Sequence, residues 1–441
     1  MVRHLYIHVP FCVRRCSYCD FSIAVRKSVP GSSYVHAVLR ELDLLRNSPG
    51  WVNPGAQPRG PEATGTHTGQ PRGPEATGTH TGQPRGPEAT GTHTGQPRGP
   101  EATGTHTGQP RGPKATDLDT LYLGGGTPSL LPAPDLARLL TSLLDAFHST
   151  PSLDAVEVTL EANPEDVTPE AVRAWRSAGV NRVSLGAQSF DDRALQWMHR
   201  SHDAARIGDA VRTLRAAGIE NISLDLIFAL PEELHRDWER DLDQAISLLP
   251  SHISLYGLTV EPRTPLDRWI SRGATKLPAD DRYAEEYLAA HGRLNAEGYQ
   301  FYEVSNAARD GFRSRHNSAY WSGRSYTGLG PAAHSFDGRA RRWNIPAWEA
   351  YRRAIAEGRS PVESEEVLTP EQQELERMYL ALRTDAGLSR AAFPRLPPPL
   401  SAWLRAGWMI EEGDKLLCTP EGWLRLDELV AKLFVAKELA S

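Results

Sequence analysis

Apolar residues along the chain recur with two alternating periods, one typical of strands and one typical of helices. Short runs rich in aliphatic and β-branched residues predict strands over 5–9, 120–125, 155–162, 182–189, 221–230 and 252–260. Amphipathic segments, with apolar residues at i, i+3, i+4 and i+7, predict helices over 33–45, 133–147, 169–179, 203–218 and 236–249. This alternation predicts a parallel sheet in an α/β fold, which is either open and doubly wound or a full or partial (β/α) barrel.

A 13-residue unit, GPEATGTHTGQPR, interrupts the pattern between the first predicted helix and the second predicted strand. Four copies run from Gly60 to Arg111, and a degenerate GPKAT follows. The unit has no apolar residue larger than Ala or Pro, so it offers no face on which repeats could stack. We therefore predict that residues 48–117 are a disordered insertion. Metal binding by the recurring histidines of the repeat is the alternative.

The pattern loosens after Pro262. A helix is predicted over 280–298, followed by a polar and aromatic loop that contains HNSAYW. Two helices, a two-strand ribbon and a last helix then predict a small winged-helix-like α+β domain. Its acidic and basic residues are similar in number, which favours a packing or partner-binding module over a nucleic-acid reader. The predicted parts are a core barrel over 1–300, a linker segment over 301–363 and a C-terminal domain over 364–441.

Charge and composition narrow the class of partner. The chain has 441 residues and a net charge of −6 at pH 7, so it lacks the basic excess that a nucleic-acid backbone requires. No run approaches the roughly 20 apolar residues of an integral membrane segment, and the sequence starts on a strand pattern rather than a leader. A cytoplasmic protein is expected. In that reducing compartment, clustered cysteines indicate metal or redox chemistry rather than disulfides.

Residues that carry chemistry follow the predicted strands. Cys12, Cys16 and Cys19 follow the first strand with the spacing C-x3-C-x2-C, and GGGTP ends the second. EANPED, AQSFDD, FALP and TVEPRTP follow the next four strands. Because the site of a (β/α) barrel lies at this end of its strands, the motifs predict one shared site.

Three thiolates in one loop suit a [4Fe–4S] cluster that leaves one iron open for another ligand. A closed zinc site would need four protein ligands, and His4 or His8 would have to complete it. The remaining cysteine, Cys418, lies in the predicted C-terminal ribbon, where the alternation of apolar residues indicates a core position.

The cysteine triplet, Tyr18 just before its last cysteine, and the GGGTP turn together resemble the radical S-adenosylmethionine (SAM) superfamily. In that family SAM binds the open iron, and one electron from the cluster cleaves SAM to methionine and a 5′-deoxyadenosyl radical. YxHxPFCxxxCxYCDF, GGGTPS, EANPE, SLGAQSF, DLIFALP, YGLTVEPRTPL, YEVSNAAR and HNSAYW occur in this order. They resemble the branch that holds oxygen-independent coproporphyrinogen III oxidase (HemN) and the heme chaperone HemW.

The resemblance implies a partial TIM-like barrel of the radical SAM type with a HemN-type C-terminal domain. The cofactor-binding residues that it implies are Tyr6, Tyr18, Gly125, Gly126, Thr127, Glu161, Gln188, Arg200 and Asp225. The chemistry of these residue types agrees, since carboxylates suit ribose hydroxyls and a guanidinium suits a carboxylate. Glycines let the backbone approach a ligand closely.

Two departures from the oxidase pattern favour the chaperone branch. The oxidase pattern continues to a further cysteine where this chain has Phe21, and an oxidase-type extension before the cluster is expected to be missing. HNSAYW also resembles the H-N-x-x-Y-W signature of the chaperones. His316 and His334 are the candidates for heme contact, because imidazole is a common axial ligand of heme iron. Either could instead be a hydrogen-bonded structural histidine.

The sequence leaves three functions open. The favoured one is a heme chaperone with a [4Fe–4S] cluster, SAM, heme as cargo, heme-accepting proteins and an electron donor for the cluster. The alternative is a radical SAM oxidase that decarboxylates coproporphyrinogen III. The third is a radical SAM enzyme with an unrelated substrate. Whether the protein turns SAM over as an enzyme is left open.

Overall fold

The computed structural model describes residues 2–47, 118–147, 155–393 and 395–438. The predicted insertion over 48–117 lies outside the described residues. Among the helices described, none is long and apolar enough to cross a membrane.

The described strands are β1 (His4–Val9), β2 (Phe11–Cys12), β3 (Ala24–Val25), β4 (Thr120–Gly125), β5 (Glu157–Ala162), β6 (Arg182–Gln188), β7 (Asn221–Phe228), β8 (His252–Gly257), β9 (Gln300–Glu303), β10 (Asn306–Ala308), β11 (Thr327–Leu329), β12 (His334–Phe336), β13 (Ala340–Asn344), β14 (Val362–Val367), β15 (Leu388–Ser389), β16 (Met409–Glu412) and β17 (Lys415–Cys418). The described helices are α1 (Gly31–Arg46), α2 (Ala133–Ala146), α3 (Pro169–Ser177), α4 (Asp192–Trp197), α5 (Ala204–Ala216), α6 (Trp238–Ser247), α7 (Pro265–Ser271), α8 (Asp280–Ala296), α9 (Arg315–Trp321), α10 (Trp348–Ala356), α11 (Pro370–Arg383), α12 (Pro398–Ala406), α13 (Pro420–Trp423) and α14 (Leu426–Glu438).

The main sheet has the strand order β11-β1-β4-β5-β6-β7-β8-β10-β9. Neighbouring strands run parallel from β11 to β8, and β10 and β9 are antiparallel additions at one end. The six strands predicted from the sequence are confirmed as β1 and β4 to β8, each within three residues of its predicted ends. The helices predicted between and after them are confirmed as α1, α2, α3, α5 and α6.

The two faces of this sheet differ in chemistry. Leu5, Ile7 and Val9 of β1 are fully buried, and they share one apolar cluster with residues of the helices. Tyr6 and His8 alternate with them and therefore face the opposite, inner side. The helices form a single row, with α1 against α2, α2 against α3 and α3 against α5. One layer of helices over one apolar face is typical of a barrel wall, whereas a doubly wound sheet has helices on both faces.

The described strands form a partial barrel, because β11 and β9 stand at the two ends of the strand order. The C-terminal region forms the predicted small α+β fold, in which α11 and α12 both pack on α14. Its sheet has the order β15-β17-β16, and Cys418 is buried in β17 as predicted. The predicted fold class is confirmed. The two-residue strand β15 was not predicted, since so short a run has no period.

Residues 301–363, predicted as a linker segment, contribute strands to both ends of the main sheet. They also supply β12, β13 and the start of β14 to a separate sheet, β12-β13-β14, whose last strand continues to Val367. The predicted boundaries of the three parts stay predictions. The prediction of a loop at HNSAYW was wrong, because these residues lie in helix α9. The Ser314 side chain caps this helix by accepting the N–H of Asn317. The Glu157 carboxylate, from β5, accepts the N–H groups of Arg315 and His316.

Candidate functional site

A cavity of about 550 Å³ lies at the carboxyl ends of β4 to β8 and beside the loop that follows β1. We call it the cysteine cavity. Its lining includes Cys12, Cys16, Cys19, Tyr18, Gly125, Gly126, Thr127, Glu161, Gln188, Arg200 and Asp225. The three cysteines and all the predicted cofactor-binding residues except Tyr6 and His316 are therefore brought together, as expected for motifs that follow parallel strands.

Backbone hydrogen bonds fix the cysteine loop to the glycine turn after β4. Gly126 N donates to Val9 O and Thr127 N donates to Phe11 O, both at 2.8 Å. The Thr127 hydroxyl also donates to Cys12 Sγ at 3.4 Å. The loop that carries the thiols is thus held by two neighbouring strands of the barrel.

The donors that line the cavity fit an iron–sulfur cluster better than zinc. Among the described residues, no three His, Cys, Asp or Glu side chains meet closely enough to hold a single metal ion. Neither His4 nor His8 lines the cysteine cavity, and both ring nitrogens of His8 already have hydrogen-bond partners, so neither histidine completes a zinc site there. What remains is three free, half-buried thiols in one short loop, the ligand set of a [4Fe–4S] cluster with one open iron.

Arg200 joins the cysteine loop to the barrel wall. Its Nη1 lies 3.5 Å from Cys16 Sγ, and its Nη2 donates to Asn163 Oδ1 at 2.6 Å and to Gly186 O at 2.9 Å. Its buried Nε has no hydrogen-bond partner in the described part of the chain. Asn163 was not predicted by itself, although its position directly after β5 is a signal that could have identified it.

Glu161 and Asp225 present carboxylates to the cavity from β5 and β7. Glu161 accepts hydrogen bonds from Tyr122 Oη at 2.8 Å and from Gly125 N at 3.0 Å. Asp225 accepts from the Ser184 hydroxyl at 3.0 Å. Burial raises the pKa of both carboxyls, that of Glu161 to about 7. Two carboxylate oxygens offer about four acceptor positions, so each group can still accept a hydroxyl of a ligand.

Two further residues line the cavity with strained backbones. Gln188 has a φ of +67° and His199 a φ of +59°, values that residues other than glycine rarely adopt. The pairing of β6 with β7 is irregular between Leu185 and Gln188. Such strain is concentrated at functional sites. His199 was not predicted, and no pattern in the sequence distinguishes it.

Gly126 is required by the packing of the chain itself. A Cβ at this position would lie 2.7 Å from Phe11 O and 2.9 Å from Val9 O. We expect Gly126→Ala to lower the free energy of unfolding by about 1–3 kcal/mol. Gly292→Ala, in α8 with nothing within 4 Å of its Cβ, should raise it by about 0.5–1 kcal/mol. Urea unfolding of both variants tests this, and similar destabilisation by the two would contradict it.

A second cavity, of about 630 Å³, adjoins the first. Asp20, Phe21, Gly125 and Glu161 line both. We call the second one the aromatic cavity, because rings form much of its wall. These are Tyr6, Tyr320, Trp321, Tyr326 and Phe336, together with the imidazoles of His8 and His334. Tyr6 thus lines this cavity and not the cysteine cavity, where the predicted SAM contacts lie.

His316 lines neither cavity. Its Nδ1 lies 2.7 Å from Thr120 Oγ1 and its Nε2 lies 2.9 Å from Tyr320 Oη. Its ring stacks on Tyr122 with centroids 4.9 Å apart, and burial lowers its pKa to about 3. Because both ring nitrogens are already hydrogen-bonded, the geometry favours a structural role for His316, and its contact with heme stays a prediction.

Comparison with known proteins agrees with this geometry. The Radical SAM superfamily profile matches residues 112–245. The heme chaperone HemW of Bacillus subtilis is 32% identical over 392 residues, which cover 89% of this chain and 86% of that protein. HemW of Escherichia coli is 30% identical, over 98% of both chains. The solved structure of E. coli coproporphyrinogen III oxidase (HemN) has a TM-score of 0.68 at 18% identity, over 97% of this chain and 89% of that one, which shows a shared fold. This chain therefore belongs to the HemW family of the radical SAM superfamily.

Proposed function

We propose that this protein is a heme chaperone that binds a [4Fe–4S] cluster and SAM in the cysteine cavity and delivers heme to acceptor proteins. The observation that carries the proposal is the convergence of the three cysteines and eight predicted cofactor-binding residues on one cavity. Heme as the cargo is supported by relatives that are named heme chaperones and that match this chain along most of their length.

Cys12, Cys16 and Cys19 would hold the cluster, whose chemistry would be the supply of a single electron to SAM. Arg200 would orient the cysteine loop through its contact with Cys16. The carboxylates of Glu161 and Asp225 would accept the ribose hydroxyls, because each is held by donors on one side and faces the cavity on the other. The backbone of the glycine turn would meet the methionyl end of SAM.

The chain requires a reduced environment in this proposal, because the cluster ligands are thiolates. Its cysteines are free, which supports a place in the cytoplasm, where thiols stay reduced. Reduction of the cluster requires an electron donor, so a redox protein is a further partner. The net charge of −6 argues against nucleic acid as a partner.

The competing function is oxidative decarboxylation of coproporphyrinogen III, which the shared fold with HemN supports. Phe21 argues against it, because this residue stands where the oxidase pattern has a further cysteine. Its side chain is 57% exposed and lines both cavities. A phenyl ring at that position cannot supply the thiol that the oxidase pattern has there.

One preparation distinguishes the two functions. After anaerobic reconstitution of the cluster, heme binding is followed by absorption, and release of CO₂ from coproporphyrinogen III is measured with SAM and a reductant. We expect stable heme binding and no release of CO₂ above a control without protein. Decarboxylation without stable heme binding would overturn the chaperone proposal.

A further inference from the structure

The aromatic cavity shares Gly125 and Glu161 with the site proposed above for the cluster and SAM, but its aromatic wall has no role in that proposal. Its rings come from three separate segments, β1, α9 with the residues after it, and β12. Tyr320 and Tyr326 pack edge to face with centroids 4.4 Å apart, and Tyr326 lies 6.3 Å from Phe336. A concave, largely apolar site of several hundred Å³ with a few polar groups is typical of small-molecule sites. Aromatic walls of this kind suit a flat macrocycle.

His334 offers the accessible imidazole of this cavity. It lies on β12, its side chain is exposed, and its ring stacks on Trp343 with centroids 6.0 Å apart. No side-chain hydrogen bond engages its ring nitrogens within the described residues. Partial desolvation and the positive charge of Arg341 lower its pKa, which favours the neutral ring, the form that ligates metals. His8 lines the same cavity, but both of its ring nitrogens are hydrogen-bonded.

Two polar groups at this cavity could meet the carboxylates of a ligand. Trp321 Nε1 is buried and has no hydrogen-bond partner among the described residues. A buried N–H without an acceptor is costly, so a ligand that accepts from it would be favoured. The Arg341 guanidinium also lines the cavity and pairs with Glu376. Since a guanidinium has five N–H donors, it retains donors for a second acceptor.

We propose that the aromatic cavity is the heme site and that His334, rather than His316, supplies a ligand to the heme iron. The inference rests on the function proposed above, because it places the cargo of that function. It also assigns distinct roles within HNSAYW: His316 anchors α9 to the barrel, and Tyr320 and Trp321 form the wall. The shared lining at Phe21, Gly125 and Glu161 puts heme next to SAM.

Hemin titration into the full chain tests the site, with the Soret band and low-temperature EPR as readouts of iron ligation. We expect His334→Gly to weaken hemin binding at least about tenfold and to lose the histidine-ligated spectrum. Added imidazole should restore that spectrum by occupying the vacated space. His36→Ala, at an exposed position of α1 outside both cavities, is the matched control and should bind hemin as the unchanged protein does.

Two other variants keep the test independent of folding. His316→Gln retains hydrogen-bonding capacity toward Thr120 or Tyr320 and should keep the spectrum, with thermal unfolding reporting on its fold. Trp321→Phe removes the indole N–H together with one ring of the side chain, and it should weaken binding severalfold without changing the iron ligand. An unchanged spectrum in His334→Gly, or its loss in a folded His316→Gln, would overturn this assignment and leave the chaperone function standing. Failure of the unchanged protein to bind hemin would overturn that function itself.

Discussion

Cys16→Ala should abolish assembly of the [4Fe–4S] cluster while leaving the fold of the barrel intact. Cys16 lies in the loop after β1, outside the strands, and its thiol contacts only the site, through Arg200 Nη1 at 3.5 Å. Its removal deletes one of the three proposed ligands, in a loop that contains no substitute cysteine. Changes to the second shell of a metal site already cost roughly 10–100-fold in affinity, and the loss of a ligand should cost more. Iron and acid-labile sulfide, measured after anaerobic reconstitution, give the readout.

Cys418→Ala is the matched control for this experiment. Cys418 is equally free but lies buried in β17 of the C-terminal domain, and it lines neither cavity. We expect Cys418→Ala to bind the full complement of iron and sulfide and to lose only some stability through the small void it leaves. A full cluster in Cys16→Ala would refute the ligand assignment. An equal loss of iron in Cys418→Ala would indicate that the loss in Cys16→Ala results from impaired folding and not from a missing ligand.

The sequence predicted the barrel strands well because each has a long run of alternating or continuous apolar residues. It missed β11 and β12, of three residues each, because so short a segment has no measurable period. Helix α9 was missed for a different reason. Its first N–H groups are satisfied by Glu157, 158 residues earlier in the chain than Arg315, and no local pattern reports such a contact.

The sequence predicted the site residues whose location depends only on their position at the end of a barrel strand. Residues at or just after the carboxyl ends of successive parallel strands meet at one edge, which is why the three cysteines, Gly125 and Glu161 line one cavity. Strand register decides which cavity Tyr6 lines. Tyr6 pairs with Tyr122 of β4 on one side and with Gly328 of β11 on the other, so it lies on the β11 side of the barrel. For His316, one partner, Tyr320, lies in the same helix, but the other, Thr120, belongs to β4. The sequence alone could not reveal the contact with β4 and so could not decide whether His316 is a ligand or a structural anchor.

Glu161→Gln should weaken SAM binding roughly 10- to 100-fold, because hydrogen bonds to charged groups contribute about 1.5–3 kcal/mol. It should also remove a pH dependence of that binding. Burial raises the pKa of Glu161 to about 7 from its ordinary value of 4.5, and ribose hydroxyls donate to the ionised form. SAM affinity in the unchanged protein should therefore fall as the pH drops below about 7. Equilibrium dialysis of cluster-loaded protein, between pH 6 and 8.5 or so, measures both effects.

Glu41 provides a control that matches Glu161 in nearly every respect except location. It is buried, it accepts hydrogen bonds from Tyr351 Oη and Gly330 N, and burial raises its pKa to about 7 as well, yet it lines neither cavity. Because the pKa of each carboxyl is higher in the folded protein than in the unfolded chain, the free energy of unfolding should fall as the pH rises from about 4.5 to 7. Both Gln variants should therefore flatten the fall of stability with rising pH, but only Glu161→Gln should change SAM affinity. If Glu41→Gln weakened SAM binding as much as Glu161→Gln does, the weaker binding would result from removing a buried carboxylate from the fold. It would then not report a contact between Glu161 and the ribose.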